Sequence, residues 1–132
     1  MAHTALVTGA SSGIGEQFAV QLAARGHNLV LSARSVDRLQ ALADRLRRDH
    51  PNIQVDIISA DLAVSGGAKG LTDELTARDI RVDVLINNAG FGSHDAFVDE
   101  YPDNVVREIQ LNRSSLLELT TRLLPSMVQR KH

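Results

Sequence analysis

Gly9, Gly13 and Gly15 follow the apolar run Ala5-Leu6-Val7 in the stretch TALVTGASSGIGEQ. Placed where a strand hands over to a helix, the first glycine permits a tight turn. The later two let backbone approach a pyrophosphate and let the helix pack on the strand. Unpaired N–H groups at the helix start, with the helix dipole behind them, attract an anion. Ser11 and Ser12 add hydroxyl donors, and Ile14 stands between the last two glycines. A sharp turn alone would also use glycine. The strand before and the helix after favour phosphate binding.

Three more polar groups end apolar runs. Ser32 to Arg34 follow Leu29-Val30-Leu31, Asp61 follows the run from Ile53 to Ile58, and Asn87-Asn88 follow the run from Val82 to Ile86. In an open α/β sheet the carboxyl ends of the strands form the ligand edge. One polar terminus marks only a turn, whereas four on one edge point to a bound ligand.

The elements that must hold these residues are four strands, each followed by a helical pattern. Ile14, Phe18 and Leu22 recur every fourth residue, as do Leu42 and Leu46 with Leu39 before them; both rows have helical spacing. Gly26 stops the first helix and Pro51 follows the second. Gly66, Gly67 and Gly70 weaken the start of a third helix within residues 64 to 79. A fourth is expected from about Pro102 to Gln129, with Val105, Ile109, Leu116, Leu119 and Leu123 on one face. Four β-then-α units predict a doubly wound α/β fold: a parallel sheet of about four strands, of Rossmann type, with helices on both faces. The run from Val82 to Ile86 is almost wholly apolar, as in a strand covered on both sides. In the third strand Gln54 and Asp56 alternate with Ile53, Val55 and Ile57, which suits a place nearer the sheet edge.

The glycine spacing is TGxxxGxG, joined by ADL at residues 60 to 62 and NNAG at residues 87 to 90. In this order and at these separations the motifs resemble the short-chain dehydrogenase/reductase family, from about Thr4 onward. The resemblance implies a nicotinamide dinucleotide and the interconversion of alcohols and carbonyls. It implies that Asp61 and Leu62 border the adenine ring, and that Asn88, Ala89 and Gly90 run beside the cofactor ribose. Asn87 is expected to be structural, tying neighbouring strands through its side-chain amide. Asn112 falls in the gap of the apolar row, three after Ile109 and four before Leu116. A polar residue on a buried face is costly unless hydrogen-bonded. A bond to its own helix backbone would account for it; the resemblance instead implies membership of a catalytic Asn-Ser-Tyr-Lys set that helps hold a proton-relay water.

Cofactor choice is read at the end of the second strand, where an NAD-binding protein usually carries an acid for the ribose hydroxyls. Ala33 stands there and Arg34 follows. A cation suits a 2′-phosphate, so NADP(H) is expected, with Arg38 as a second contact or a solvated surface arginine. The family's later Ser and Tyr-x-x-x-Lys helix have no counterpart. Val105 lies four residues after Tyr101, the single tyrosine, and the only lysines are Lys69 and Lys131. Ser114 and Ser115 fall mid-helix. The 132 residues are thus expected to form one NADP-binding domain, 1–132, incomplete at its carboxyl side before a fifth strand and inactive alone. A non-catalytic NADP-binding module, or a half-domain completed by another chain, is the alternative.

Composition narrows the remaining classes. A formal net charge of -2 offers no basic surface for nucleic acid, and no apolar run is long enough to span a bilayer. Cysteine is absent and the five histidines are scattered, so no metal site is expected. His94, after NNAG, reads as a loop residue. No leader peptide is visible, and a cytoplasmic location is expected. An exposed fourth strand and a weak net charge predict a homo-oligomer or another associated form.

Overall fold

A computed structural model describes residues 3–11, 13–88 and 116–130. Its order is β1 (Thr4–Thr8), α1 (Gly13–Ala24), β2 (Asn28–Ala33), α2 (Val36–Asp49), β3 (Val55–Ser59), α3 (Gly67–Ala77), β4 (Val84–Ile86) and α4 (Leu116–Arg130). The four strands form one parallel sheet in the order β3-β2-β1-β4. Thr4 to Thr8 lie beside Asn28 to Ser32, and Ala5 to Val7 beside Val84 to Ile86. β3 therefore lies at the edge, as its mixed polarity predicts.

This order decides where the helices go. The chain steps outward from β1 to β2 to β3, then returns across the sheet to β4. Right-handed crossovers put α1 and α2 on one face and send α3 to the other. Alternate strand residues divide accordingly. Ala5, Val7, Leu29 and Leu31 pack with Ala19 and Ala23 of α1 and with Leu39, Leu42 and Leu46 of α2. Leu6, Val30 and Ile58 pack with Ala68, Leu71 and Leu75 of α3 and with Leu119 of α4. Fully burying one such leucine is worth ~1.5–3 kcal/mol.

The first helix departs from its sequence pattern. Ile14 and Phe18 are 69% and 41% exposed, while Gly15, Ala19 and Ala23 are buried. The neighbouring row of small residues faces the sheet because it lets the helix axis approach closely, and the bulky row lies at the rim. α1 ends at Ala24, with Gly26 at φ 86° and its N–H donating to the Ala23 carbonyl. That left-handed cap is the stop expected of the glycine. α3 forms despite its three glycines. A Cβ on Gly67 would overlap the Asp61 carbonyl, so this glycine is what lets α3 start against the end of β3. The described part of the fourth helix begins at Leu116, and the expected stretch from Pro102 to Ser115 lies outside the described residues.

Candidate nucleotide-binding site

The strand order reverses between β1 and β4, and at such a switch point an open α/β sheet generally has a ligand crevice at the carboxyl ends of its strands. The glycine turn and Asn87-Asn88 lie there. Gly9 has φ 64° and Gly13 has φ 61°, both in the left-handed region that glycine enters without cost. Gly13 is the first residue of α1 and Gly15 the third. A Cβ on Gly15 would overlap the Gly9 carbonyl oxygen and lie 2.5 Å from Asn88 Nδ2. Glycine therefore serves here as missing volume: it brings the N-terminus of α1 onto the end of β1. Ser11 is partly buried in the turn, and Ile14 is exposed on the first turn of α1. Ser12 lies outside the described residues.

Asn88 closes the crevice from the β4 side. Its side-chain amide donates to the Gly9 carbonyl at 3.3 Å, and its backbone N–H donates to Thr8 Oγ1 at 3.0 Å. The Thr8 hydroxyl in turn donates to the Ile86 carbonyl at 3.3 Å. Thr8 thus ties the ends of β1 and β4 together, a role absent from the sequence reading. A threonine facing the core as the last residue of a strand was the available signal, because a buried hydroxyl needs partners.

The two asparagines divide their work differently from the expectation. Asn87 Nδ2 donates to Thr120 Oγ1 at 3.0 Å, so Asn87 anchors the end of β4 to α4. The strand-to-strand tie falls to Asn88. Residues alternate faces along the chain, which turns Asn87 to the helix layer and leaves its neighbour beside β1. Ala89, Gly90 and Asn112 lie outside the described residues.

On the other side of the crevice, Arg34 follows β2 directly and is exposed. Arg38 is exposed on the first turn of α2. Neither guanidinium has a hydrogen bond or ion pair among the described residues. Both cations therefore stand at the carboxyl ends of the strands, close together in sequence. Asp61 follows β3, and its Oδ1 accepts the Ala63 N–H at 2.9 Å, which rounds the chain into the turn before α3. Leu62 is 6% exposed and belongs to the apolar layer beneath α3. Asp61 thus shapes its loop, and Leu62 forms the floor beside it.

Chemically, this edge offers free helix N–H groups, a glycine surface without side chains and two cations, which suits a phosphorylated ligand. No group of His, Asp or Glu among the described residues is arranged to hold a metal ion. No helix among them is long and apolar enough to cross a membrane.

Residues 3–132 match the family model described as short chain dehydrogenase. A very-long-chain 3-oxoacyl-CoA reductase of Ajellomyces capsulatus is 33% identical over 130 residues, covering 96% of this chain and 38% of the reductase. A short-chain dehydrogenase from Sphingobium yanoikuyae, solved in complex with NADPH, is 41% identical with a TM-score of 0.89, covering 97% of this chain and 50% of the other. The bulky-bulky ketone specific alcohol dehydrogenase from Comamonas testosteroni is 38% identical with a TM-score of 0.89, covering 97% and 51%. The chain therefore spans about half, or less, of the length of these relatives.

Proposed function

Because the chain belongs to the short-chain dehydrogenase family, we propose that it is the amino-terminal, cofactor-binding part of an NADP(H)-dependent oxidoreductase that interconverts alcohols and carbonyls. The observation that carries this reading is the meeting of Gly9, Gly15 and Asn88 at the reversal of strand order, where the lack of a side chain on Gly15 lets the N-terminus of α1 reach the end of β1. The NADPH complex of the Sphingobium relative supports the choice of cofactor. NADP(H) would be held at its pyrophosphate by the turn from Gly9 to Gly15, at its 2′-phosphate by Arg34 with Arg38, and at its adenine by Asp61 and Leu62. Asn88, Ala89 and Gly90 would flank a ribose. When bound, the reduced cofactor supplies a hydride. The chain's own contribution is to fix the phosphates, orient the dinucleotide along the strand ends and, through Asn112, hold a water for proton relay.

These 132 residues form, in this reading, a single incomplete domain that does not turn over alone. No tyrosine has a lysine four residues after it, so no positioned proton donor of the family's type is present. General acid–base catalysis commonly contributes ~100- to 10,000-fold. The test is calorimetric titration with NADPH, followed by aldehyde and ketone panels read as loss of the reduced-cofactor absorbance. Saturable binding without turnover is expected. Absence of binding would overturn the cofactor assignment, and turnover surviving stringent purification would overturn the claim of incompleteness.

A further inference from the structure

Among the described residues, β3 has β2 on one side and no strand on the other. Leu29 N–H donates to the Gln54 carbonyl, and Ala60 N–H donates to the Ala33 carbonyl. Peptide groups alternate sides along a strand, so Gln54, Asp56, Ile58 and Ala60 turn toward β2. Val55, Ile57 and Ser59 turn outward. A row of outward N–H and C=O groups is a template for another strand. The segment VDIIS invites such pairing: three of its five residues are β-branched and it contains no proline.

Two arginines occupy that row. Arg47 of α2 donates from Nη2 to the Val55 carbonyl, and Arg78, the C-cap of α3, donates from Nη1 to the Ile57 carbonyl at 3.0 Å. Since α2 and α3 lie on opposite faces, one guanidinium reaches the edge from each side of the sheet. Each is held by an acid on its own helix. Asp44 Oδ1 lies 3.5 Å from Arg47 Nη1, and Glu74 Oε1 accepts from Arg78 Nε at 2.8 Å. Two of the three outward carbonyls are thereby bonded to a charged side chain that an incoming strand would have to displace.

We propose that Arg47 and Arg78 close the β3 edge to strand addition, and that without them this edge pairs with β3 of a second copy of the chain. The inference stands apart from the cofactor reading, since neither arginine lies at the nucleotide edge. The double variant Arg47→Ala/Arg78→Ala tests it, by sedimentation over a concentration series together with residue-resolved hydrogen exchange. Self-association should tighten by at least about tenfold, the equivalent of one lost charge-assisted hydrogen bond. The amides of Val55, Ile57 and Ser59 should gain protection as concentration rises. An association constant equal to the parent's, or new association that leaves those three amides exchanging as before, overturns the proposal. If alanine prevents folding, Arg47→Met/Arg78→Met keeps the apolar stems without the donors, and the same outcomes decide.

Discussion

Gly15 and Asn88 are separated by 73 positions in the chain, yet a Cβ on the first would stand 2.5 Å from the side-chain nitrogen of the second. The same Asn88 amide donates to the Gly9 carbonyl. The turn after β1 and the segment after β4 therefore share one small volume, and any atom added there pushes on both.

Gly15→Ala should destabilise the chain by about 1–3 kcal/mol, the usual cost of overpacking. It should also weaken nucleotide binding, because α1 must retreat from β1. Asn88→Ala in the same chain should restore only part of the loss, since the Gly9 carbonyl remains in the way. Denaturant midpoints for the two single variants and the double variant measure this coupling. Strict additivity would show that the two residues do not share the space.

Arg34→Asp should remove the preference for NADP over NAD. The contact at stake is charge-assisted, worth ~1.5–3 kcal/mol, or about tenfold or more in affinity. Calorimetric titration of both cofactors checks it. Equal affinities in the parent, unchanged by the substitution, would overturn the role of Arg34.

Ser32 is 1% exposed, and its hydroxyl has no hydrogen-bond partner among the described residues. It lies on β2 beside Thr8. Replacing a buried, unpaired polar group by an apolar one recovers a desolvation cost of about 1–3 kcal/mol, less any packing lost with the oxygen. Ser32→Ala should accordingly leave stability unchanged or raise it in urea unfolding. A loss above about 1 kcal/mol would show that the hydroxyl is paired in solution.

Asp83 sits at the opposite edge of the sheet, where it accepts the Thr4 N–H at 3.0 Å and pairs with Arg130 of α4 at 3.2 Å. Burial alone would raise its carboxyl. The Thr4 N–H, the Arg130 guanidinium and the nearby His3 outweigh that and hold it below the ordinary aspartate value. A carboxyl depressed in the folded state stabilises it above the unfolded value, and that contribution is lost as pH falls through the folded value. Stability should thus decline as the pH drops below about 4, and Asp83→Asn should flatten that decline. Urea midpoints between neutral pH and strongly acid pH measure it; an unchanged slope in the variant would remove Asp83 from the account.

β4 is paired only with β1 among the described residues. Asp83 N–H donates to the Thr4 carbonyl, so alternation turns the N–H groups of Val84 and Ile86 outward, while the Ile86 carbonyl is taken by Thr8. Leu117, Leu124 and Val128 are exposed along α4. We expect concentration-dependent association by light scattering, with the amides of Val84 and Ile86 gaining protection. A monomer at high concentration in which these amides already resist exchange would mean that the edge is covered.

What the sequence by itself determined is local in origin. Strand-length apolar runs, helix-spaced leucines and a glycine turn between them were enough to place four βα units in order, and polar residues at the strand ends pointed to one edge as the candidate ligand edge. Gly9 and Gly13 were legible because a left-handed turn restricts the residue standing in it. Tertiary structure decided what depends on distant neighbours. It chose the row of Gly15, Ala19 and Ala23 over that of Ile14 and Phe18, because closeness to the sheet is set by atoms that are absent. It gave Asn87 to Thr120 and Asn88 to Gly9, and it made Thr8 the tie between β1 and β4. It also laid Arg47 and Arg78 on the β3 edge. Each of these depends on which strands become neighbours, and the hydrogen bond from Thr8 of β1 to Ile86 of β4 joins residues 78 positions apart that no local pattern relates.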